Sequence, residues 1–436
     1  MDLNKKFMNR INNNDLGLEM WELTERLWPI CRSLTGDGVR ETFNLIQEQI
    51  PIQIHEVPTG TKVFDWEVPK EWKIKDAYVL NEKGEKIIDF KVTNLHVVGY
   101  SSPIDKWVDL TELQQHLHSI EEQPDVIPLI TSYYKEYWGF CISHTQRKSL
   151  TEGKYFVHID SELFDGSLTY AELILPGTSK KEVFLSTYIC HPSVANDNLS
   201  GPVVLTFLAK LIAASYRKYT YRIIFIPETI GAITYLAKHH LEMRNNTIAG
   251  FNLSCVGDNN NYSFVSSRYA DTYADKIIER VLTKKNLAYK KFSYLMRGSD
   301  ERQFCSPGID LPLITFSRTK FGEFPEYHTS LDNLDYICKE GLLGSLEVLM
   351  ACVDYLEHNK LYKVNVLCEP QLGKRGLYPT INTKKSVDSV KRMMHFISYA
   401  DGKNDLTSIS EITGIHEDEL LQYAEILVKN NLIEIY

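Results

Sequence analysis

Four side chains define the chemistry open to this sequence: His191, Asp197, Glu228 and His328. His191 and Asp197 lie in the run STYICHPSVANDNLSG, Glu228 in FIPETIG, and His328 in PEYHTSLD between Glu326 and Asp332. Each follows a short apolar stretch rich in β-branched residues, which places it in the loop after a strand. In an open α/β sheet, ligands collect in the crevice outside the carboxyl ends of the strands. Two imidazoles and a carboxylate form a donor set that zinc favours, and zinc lowers the pKa of a bound water to roughly 7. Glu228, just past a buried strand, would be costly there unless it faced a cleft or a partner. It is read as the general base toward that water. A lone strand-end histidine is more often a hydrogen-bonded structural residue, so the grouping of the four, not His191 alone, supports a metal. The expectation is that His191, Asp197 and His328 converge on one point, with Glu228 close by and not ligating.

Two further clusters suit the recognition of substrate ends. Residues 31–42, CRSLTGDGVRET, place Arg32, Ser33 and Arg40 between two helical patterns, where they could receive a substrate carboxylate. The alternative is a capped turn, with Thr35 and Asp37 serving the next helix. The segment RGSDERQ holds Asp300 and Glu301 beside Arg297 and Arg302. It reads equally as a site for a free amino or carboxylate terminus and as a surface ion-pair network. Cys190 directly precedes His191, but cysteine at the end of an apolar strand is usually buried and inert, so it is read as structural.

The elements that must position these residues alternate between buried strands and helices from 169 to 319. That alternation predicts a largely parallel sheet covered by helices on both faces. Residues 69–149 carry many short alternating strands and read as a small mainly-β insertion. Its cluster Tyr133, Tyr134, Tyr137, Trp138 and Phe140 is assigned to the core of the insertion, with a sugar platform as the alternative. Strand-like segments at 52–57 and 155–159 are assigned to the α/β domain, which therefore comprises residues 1–68 and 150–366. Residues 380–436 resemble a winged helix-turn-helix. DNA binding is the reflex inference, but from 404 onward Asp405, Glu411, Glu417, Asp418, Glu419, Glu425 and Glu434 stand against a single Lys429. Such a helix would repel phosphates, so no nucleic acid is expected and the tail is read as a packing or homo-oligomer module.

The 436 residues suggest two to four domains, and 48 basic against 57 acidic residues give a net charge of −9, which does not help binding to a phosphate backbone. The polar N-terminus lacks a secretory core. The longest apolar helical stretch, 203–214, is interrupted by Lys210 and falls far short of the ~20 residues that span a bilayer. A cytoplasmic protein without membrane contact is expected. The eight cysteines contain no CxxC pair, so neither a zinc ribbon nor a disulfide framework is indicated.

The runs HPSVANDNLSG, PETIG and YHTSLD, in that order, resemble the zinc exopeptidase family of di-zinc aminopeptidases and glutamate carboxypeptidases. ICRSLTGDGVRET and RGSDERQFCSPGIDLP look like a bacterial aminopeptidase-like subgroup with an inserted β module and a winged-helix tail, sometimes encoded among polysaccharide-biosynthesis genes. The resemblance covers nearly the whole chain. It implies that His191 is a ligand of one metal, Asp197 the carboxylate bridging two, His328 a ligand of the other and Glu228 the general base. Three positions depart from the family pattern. Thr229 replaces a second Glu, Ser254 replaces the strand-end Asp, and Ser193 replaces the Asp that orients the first His. Asp258 is the candidate to compensate. One shared carboxylate and two neutral imidazoles hold two dications poorly, so one zinc is favoured over two. The implied function is a metal-dependent hydrolase, an aminopeptidase acting on a small peptide or amide. The alternative is a catalytically degenerate peptidase fold that binds a ligand or assembles a complex.

Overall fold

Buried β-branched runs organise the larger part of the chain around one eight-stranded sheet. Its strands, in chain order, are β1 (Gln53–Pro58), β2 (Ser167–Leu175), β3 (Glu182–Tyr188), β4 (Thr220–Ile226), β5 (Thr247–Leu253), β6 (Tyr262–Val265), β7 (Tyr289–Phe292) and β8 (Leu313–Ser317). Their spatial order is β1-β2-β4-β3-β5-β8-β6-β7. The central β4, β3, β5 and β8 run parallel, whereas β1–β2, β2–β4 and β6–β8 are antiparallel. Every residue of β3 and β8 is buried, as expected of strands covered on both faces. The computed structural model describes residues 15–377 and 384–435, and these divide into two units after Val353.

Chain reversal at β3 creates the crevice. From β3 the chain passes through α1 (Ser200–Ala213) to β4 on one side, then through α2 (Ile230–Asn246) to β5 on the other. The two connections thus set β4 and β5 on opposite sides of β3, and the loops after β3, β4, β5 and β8 all open on the same edge of the sheet. These loops carry His191 and Asp197, Glu228, Ser254 and His328 in turn.

The insertion has a four-stranded antiparallel sheet of Lys86–Asp89, Glu71–Leu80, Lys154–Phe164 and Ile104–Asp109. Ala77, Val79, Tyr155, Val157 and Ile159 alternate into its core with Phe140 and Leu113. The segment 155–159, expected in the α/β domain, therefore belongs here. Its pairing to Glu71–Leu80 and Ile104–Asp109 decides this, and alternation alone could not.

The second unit pairs Leu361–Val364 with Asp401–Asp405 and Ile433–Ile435 and adds helices Lys384–Tyr399, Leu406–Thr413 and Glu417–Lys429. Asp405 caps Leu406–Thr413 by accepting from Ser408 N, and Gly414 closes it in the left-handed region at φ 69°. Phe396, Ile409, Leu420, Leu427 and Leu432 fill the core. This is a winged helix, and its first strand lies before residue 366, where the α/β domain was expected to end. Residues 380–383 and 436 of the expected tail domain, and 1–14 of the expected α/β domain, lie outside the described residues.

Candidate metal centre and its cavity

The residue types that follow β3 leave it no choice but a tightly bonded loop. Asn198 donates to Thr187 Oγ1 at 2.9 Å and to Tyr188 O at 3.1 Å, and accepts from Gly201 N and Cys255 N. Asn196 binds the neighbouring 257–258 turn through Gly257 N at 2.9 Å and Asp258 Oδ2 at 3.1 Å. Asp332 gathers the backbone N–H groups of Ala195, Asn196 and Asp197 on its two carboxylate oxygens at 3.2, 2.6 and 2.9 Å. One buried acid thereby fastens the Asp197 loop to the loop that carries His328. Burial pushes its carboxyl up to about 7 against the lowering effect of those N–H donors.

His191, Asp197 and His328 meet as expected, their possible ligand atoms all within 4.8 Å of one another. The two rings are 5.4 Å apart between centroids. His328 Nε2 is a buried atom whose polar neighbour is Asp197 Oδ2 at 2.9 Å, an ion-pair contact. Two imidazoles and a buried carboxylate whose ligand atoms crowd one point suit a shared cation, so the donor set fits a metal ion. Burial lowers the His191 pKa to about 4, which keeps a neutral ring with a free lone pair at pH 7. Burial alone would raise Asp197, but the imidazoles of His191 and His328 and the Tyr188 hydroxyl outweigh it and hold the carboxyl at about 2. Tyr327 stacks on the His328 ring at 3.9 Å between centroids.

Tyr188 was not singled out in the sequence. Its hydroxyl donates to Asp197 Oδ1 and lies 2.8 Å from Ser254 Oγ. At the position where the resemblance places a strand-end Asp, Ser254 thus joins a hydroxyl chain to Asp197. The available signal was weak, because Tyr188 differs from other strand-end tyrosines only through its cross-strand neighbour.

Glu228 follows β4 on the facing side of a cavity of about 390 Å³, whose lining also includes His191, His328, Thr229 and Arg302. Burial and the charges of Asp300 and Asp197 push its carboxyl well above the usual carboxylate range. Cys190, His191 and Glu228 form a second group that could hold a metal. Burial also pushes the Cys190 thiol well up, which makes it a poor thiolate, and its sulfur accepts from Glu228 N at 3.3 Å. Thr229 has φ 63°, uncommon for a β-branched residue, and is held there by Thr229 N donating to Asp300 Oδ1 at 2.7 Å. Arg302 donates to Thr229 Oγ1 at 2.6 Å and approaches Glu228 Oε1 to 3.9 Å.

The insertion completes the cavity. Leu129 N donates to His328 O at 2.8 Å, and Ile127 and Ser330 exchange two further bonds. Thr131, Tyr133, Tyr134 and Trp66 then wall the cavity. Of the aromatic cluster expected in the core of the insertion, Phe140 and Trp138 are indeed there, while Tyr133 and Tyr134 turn to the site.

Several expected contacts have other duties. Arg32 is buried and donates to Leu27 O, His191 O and Pro192 O at 2.6, 2.8 and 3.2 Å, so it braces the His191 loop from behind. Ser33 is also buried and does not line the cavity. Arg40 pairs with Glu56 and Glu71, at 3.0 and 2.5 Å. Asp258 accepts from Asn196, Asn260 N and Thr319, and takes no place in the ligand cluster. Glu301 accepts from Gly298 N, Ser299 N and Thr315 Oγ1. Asp300 is buried beneath Thr229, so it acts on the site through Thr229 and Glu228. Ser193 accepts from Asn94 and donates to Trp28 O, leaving the His191 ring unoriented by it. For Arg32, Asp258, Glu301 and Ser193, internal hydrogen bonding uses the residue types that a binding site would use.

A helix-sandwiched sheet with a parallel centre, and a two-histidine, one-carboxylate cluster at its carboxyl edge, make this a protein of the zinc exopeptidase architecture. The chain belongs to the DUF4910 family, whose model, described as a domain of unknown function, matches residues 21–359. A winged helix-turn-helix model matches residues 360–435. A Clostridium acetobutylicum protein, named as a candidate polysaccharide biosynthesis protein with an aminopeptidase-like domain, is 45% identical over 426 residues, 97% of this chain and 98% of that protein. The crystal structure of a candidate peptidase from Clostridium acetobutylicum is similar over 100% of both chains, with a TM-score of 0.83 and 43% identity. A zinc aminopeptidase from Bacillus subtilis shares the fold at 13% identity, covering 78% of this chain and 94% of its own, with a TM-score of 0.58.

Proposed function

We propose that the chain is a single-zinc amide hydrolase that acts on the N-terminal residue of a small peptide or on a comparable small amide. The observation that supports this reading is the convergence of His191 and Asp197 from one loop and His328 from another, their ligand atoms all within 4.8 Å of one another. These three would hold the ion. When bound, zinc supplies polarisation of the amide carbonyl and acidification of a water. Glu228 takes the proton from the attacking water and returns it to the departing amine. Burial and the charge of Asp300 raise this carboxyl well above the usual carboxylate range, which strengthens it as a proton acceptor. Thr229, pinned by Asp300 and Arg302, keeps the backbone after Glu228 in one conformation. The walls from Leu129 to Tyr134 restrict the space to a small substrate and limit bulk water. A single ion is favoured because the Tyr188 hydroxyl occupies Asp197 Oδ1, and Ser254 and Thr229 stand where carboxylates would be needed for a second. Cytoplasmic residence belongs to the same proposal.

A second reading, a retired peptidase fold that only binds its ligand, is favoured by those same hydroxyls at 229 and 254. The two readings separate on untagged protein assayed with aminoacyl amides, with and without added zinc. Zinc-dependent release of the amine, lost in Glu228→Gln while zinc content is kept, supports the hydrolase. Zinc-loaded protein that turns over none of these amides supports the retired fold.

A further inference from the structure

Arg302 lines two cavities. Beyond it, away from His191, lies a second cavity of about 490 Å³ bordered also by Arg268 and Arg297. Among the described residues, no carboxylate lines it. Three guanidinium groups around one hollow repel one another unless anions compensate them. Compensation here is partial. Arg268 pairs with Asp310 and stacks on Tyr269 at 4.7 Å. Arg297 is exposed and rests over Tyr294 at 4.9 Å. Arg302 approaches Glu228. The Nε atoms of Arg268 and Arg302 are both buried without a hydrogen-bond partner. An oxyanion in the hollow would supply the missing compensation through charge-assisted N–H···O bonds.

Building on the hydrolase reading, we infer that the substrate carries a carboxylate or phosphate group seated in this second cavity, held by Arg297, Arg268 and Arg302, while its amide lies at the metal centre. Arg302 is the joint between the two cavities, because it reaches Thr229 on one side and lines the arginine cavity on the other. The substrate is thereby narrowed from any small amide to an amide within an anionic molecule. An arginine fork recognises both oxyanions by parallel N–H···O bonds, so carboxylate and phosphate share the chemistry.

The test is calorimetric titration of the full-length chain with succinate and, separately, with methylphosphonate, after chelator treatment so that neither probe can bind zinc. Arg297→Gln and Arg268→Gln should each weaken binding about fivefold or more, and Arg297→Lys should recover part of the loss. Binding of succinate alone assigns a carboxylate, binding of methylphosphonate alone a phosphate, and binding of both supports the shared anion site. Circular dichroism establishes that the variants are folded. The inference is overturned if neither probe binds, or if binding is indifferent to both substitutions. Absence of all amide hydrolysis would defeat the hydrolase reading and leave an arginine-dependent titration standing, so the two failures are distinguishable.

Discussion

The charge of Asp300 raises the Glu228 carboxyl, and the chemistry of these two acids separates catalysis from stability. Glu228→Gln keeps the shape of the side chain and removes the proton acceptor. It should lower kcat by about a hundredfold or more while zinc content is unchanged, because general acid–base catalysis contributes roughly 10²–10⁴. Asp300→Asn keeps an acceptor for Thr229 N and removes the foremost charge that raises Glu228. The acidic limb of the pH–rate profile should therefore move to lower pH. Stability should move as well. Burial raises Asp300 from 3.8 to about 7 in the folded chain, so between those values the folded state holds a proton that the unfolded state has lost. Wild-type stability from this group is then present below pH 3.8 and is lost as pH rises toward 7. Asparagine does not titrate, so the melting temperature of Asp300→Asn relative to wild type should rise between pH 4 and 8. A difference that stays flat, or shrinks, across that range would contradict the burial assigned to Asp300.

The loops after the strands hold the centre by mutual fastening. Asp332→Ala removes the acceptor of three backbone N–H groups, each worth about 1–3 kcal/mol when left buried and unsatisfied. It should lower the melting temperature and weaken zinc retention by roughly 10–100-fold, and Asp332→Asn should fall between it and wild type because one accepting oxygen remains. Zinc affinity of Asp332→Ala equal to wild type would show that the Asp197 loop is preformed without it. The four chemical residues were legible because each lies in a loop after a β-branched run, and strand ends of a parallel sheet share an edge. The contact of Tyr188 with Ser254 was not legible, since it depends on β3 lying beside β5. Arg32, Arg40 and Glu301 read as substrate contacts, and Asp258 as a metal ligand, because caps and ion pairs draw on the same residue types as binding sites. The role of the insertion at the cavity was hidden for a similar reason. Periodicity identified its strands, but it takes the bonds from Leu129 to His328 and between Ile127 and Ser330 to show that a loop of the insertion returns to the site.

At the scale of the whole molecule, the winged helix and the peptidase-like unit carry different expectations. No described helix is long and apolar enough to cross a membrane. We propose that the tail serves packing or self-association, and that its acidic helix Glu417–Lys429 keeps nucleic acid away. Full-length protein should then leave duplex DNA unshifted at physiological salt, whereas a tight complex with a steep salt dependence would contradict the charge argument. The central claim concerns the larger unit and is the single zinc at its sheet edge. Crystals of the full chain grown with zinc, with anomalous scattering measured at the zinc edge, address it most directly. The account predicts one peak in this unit, ligated by His191, Asp197 and His328, with Glu228 nearby and unligated. No peak at that point, or a peak held instead by Cys190, His191 and Glu228, would contradict it.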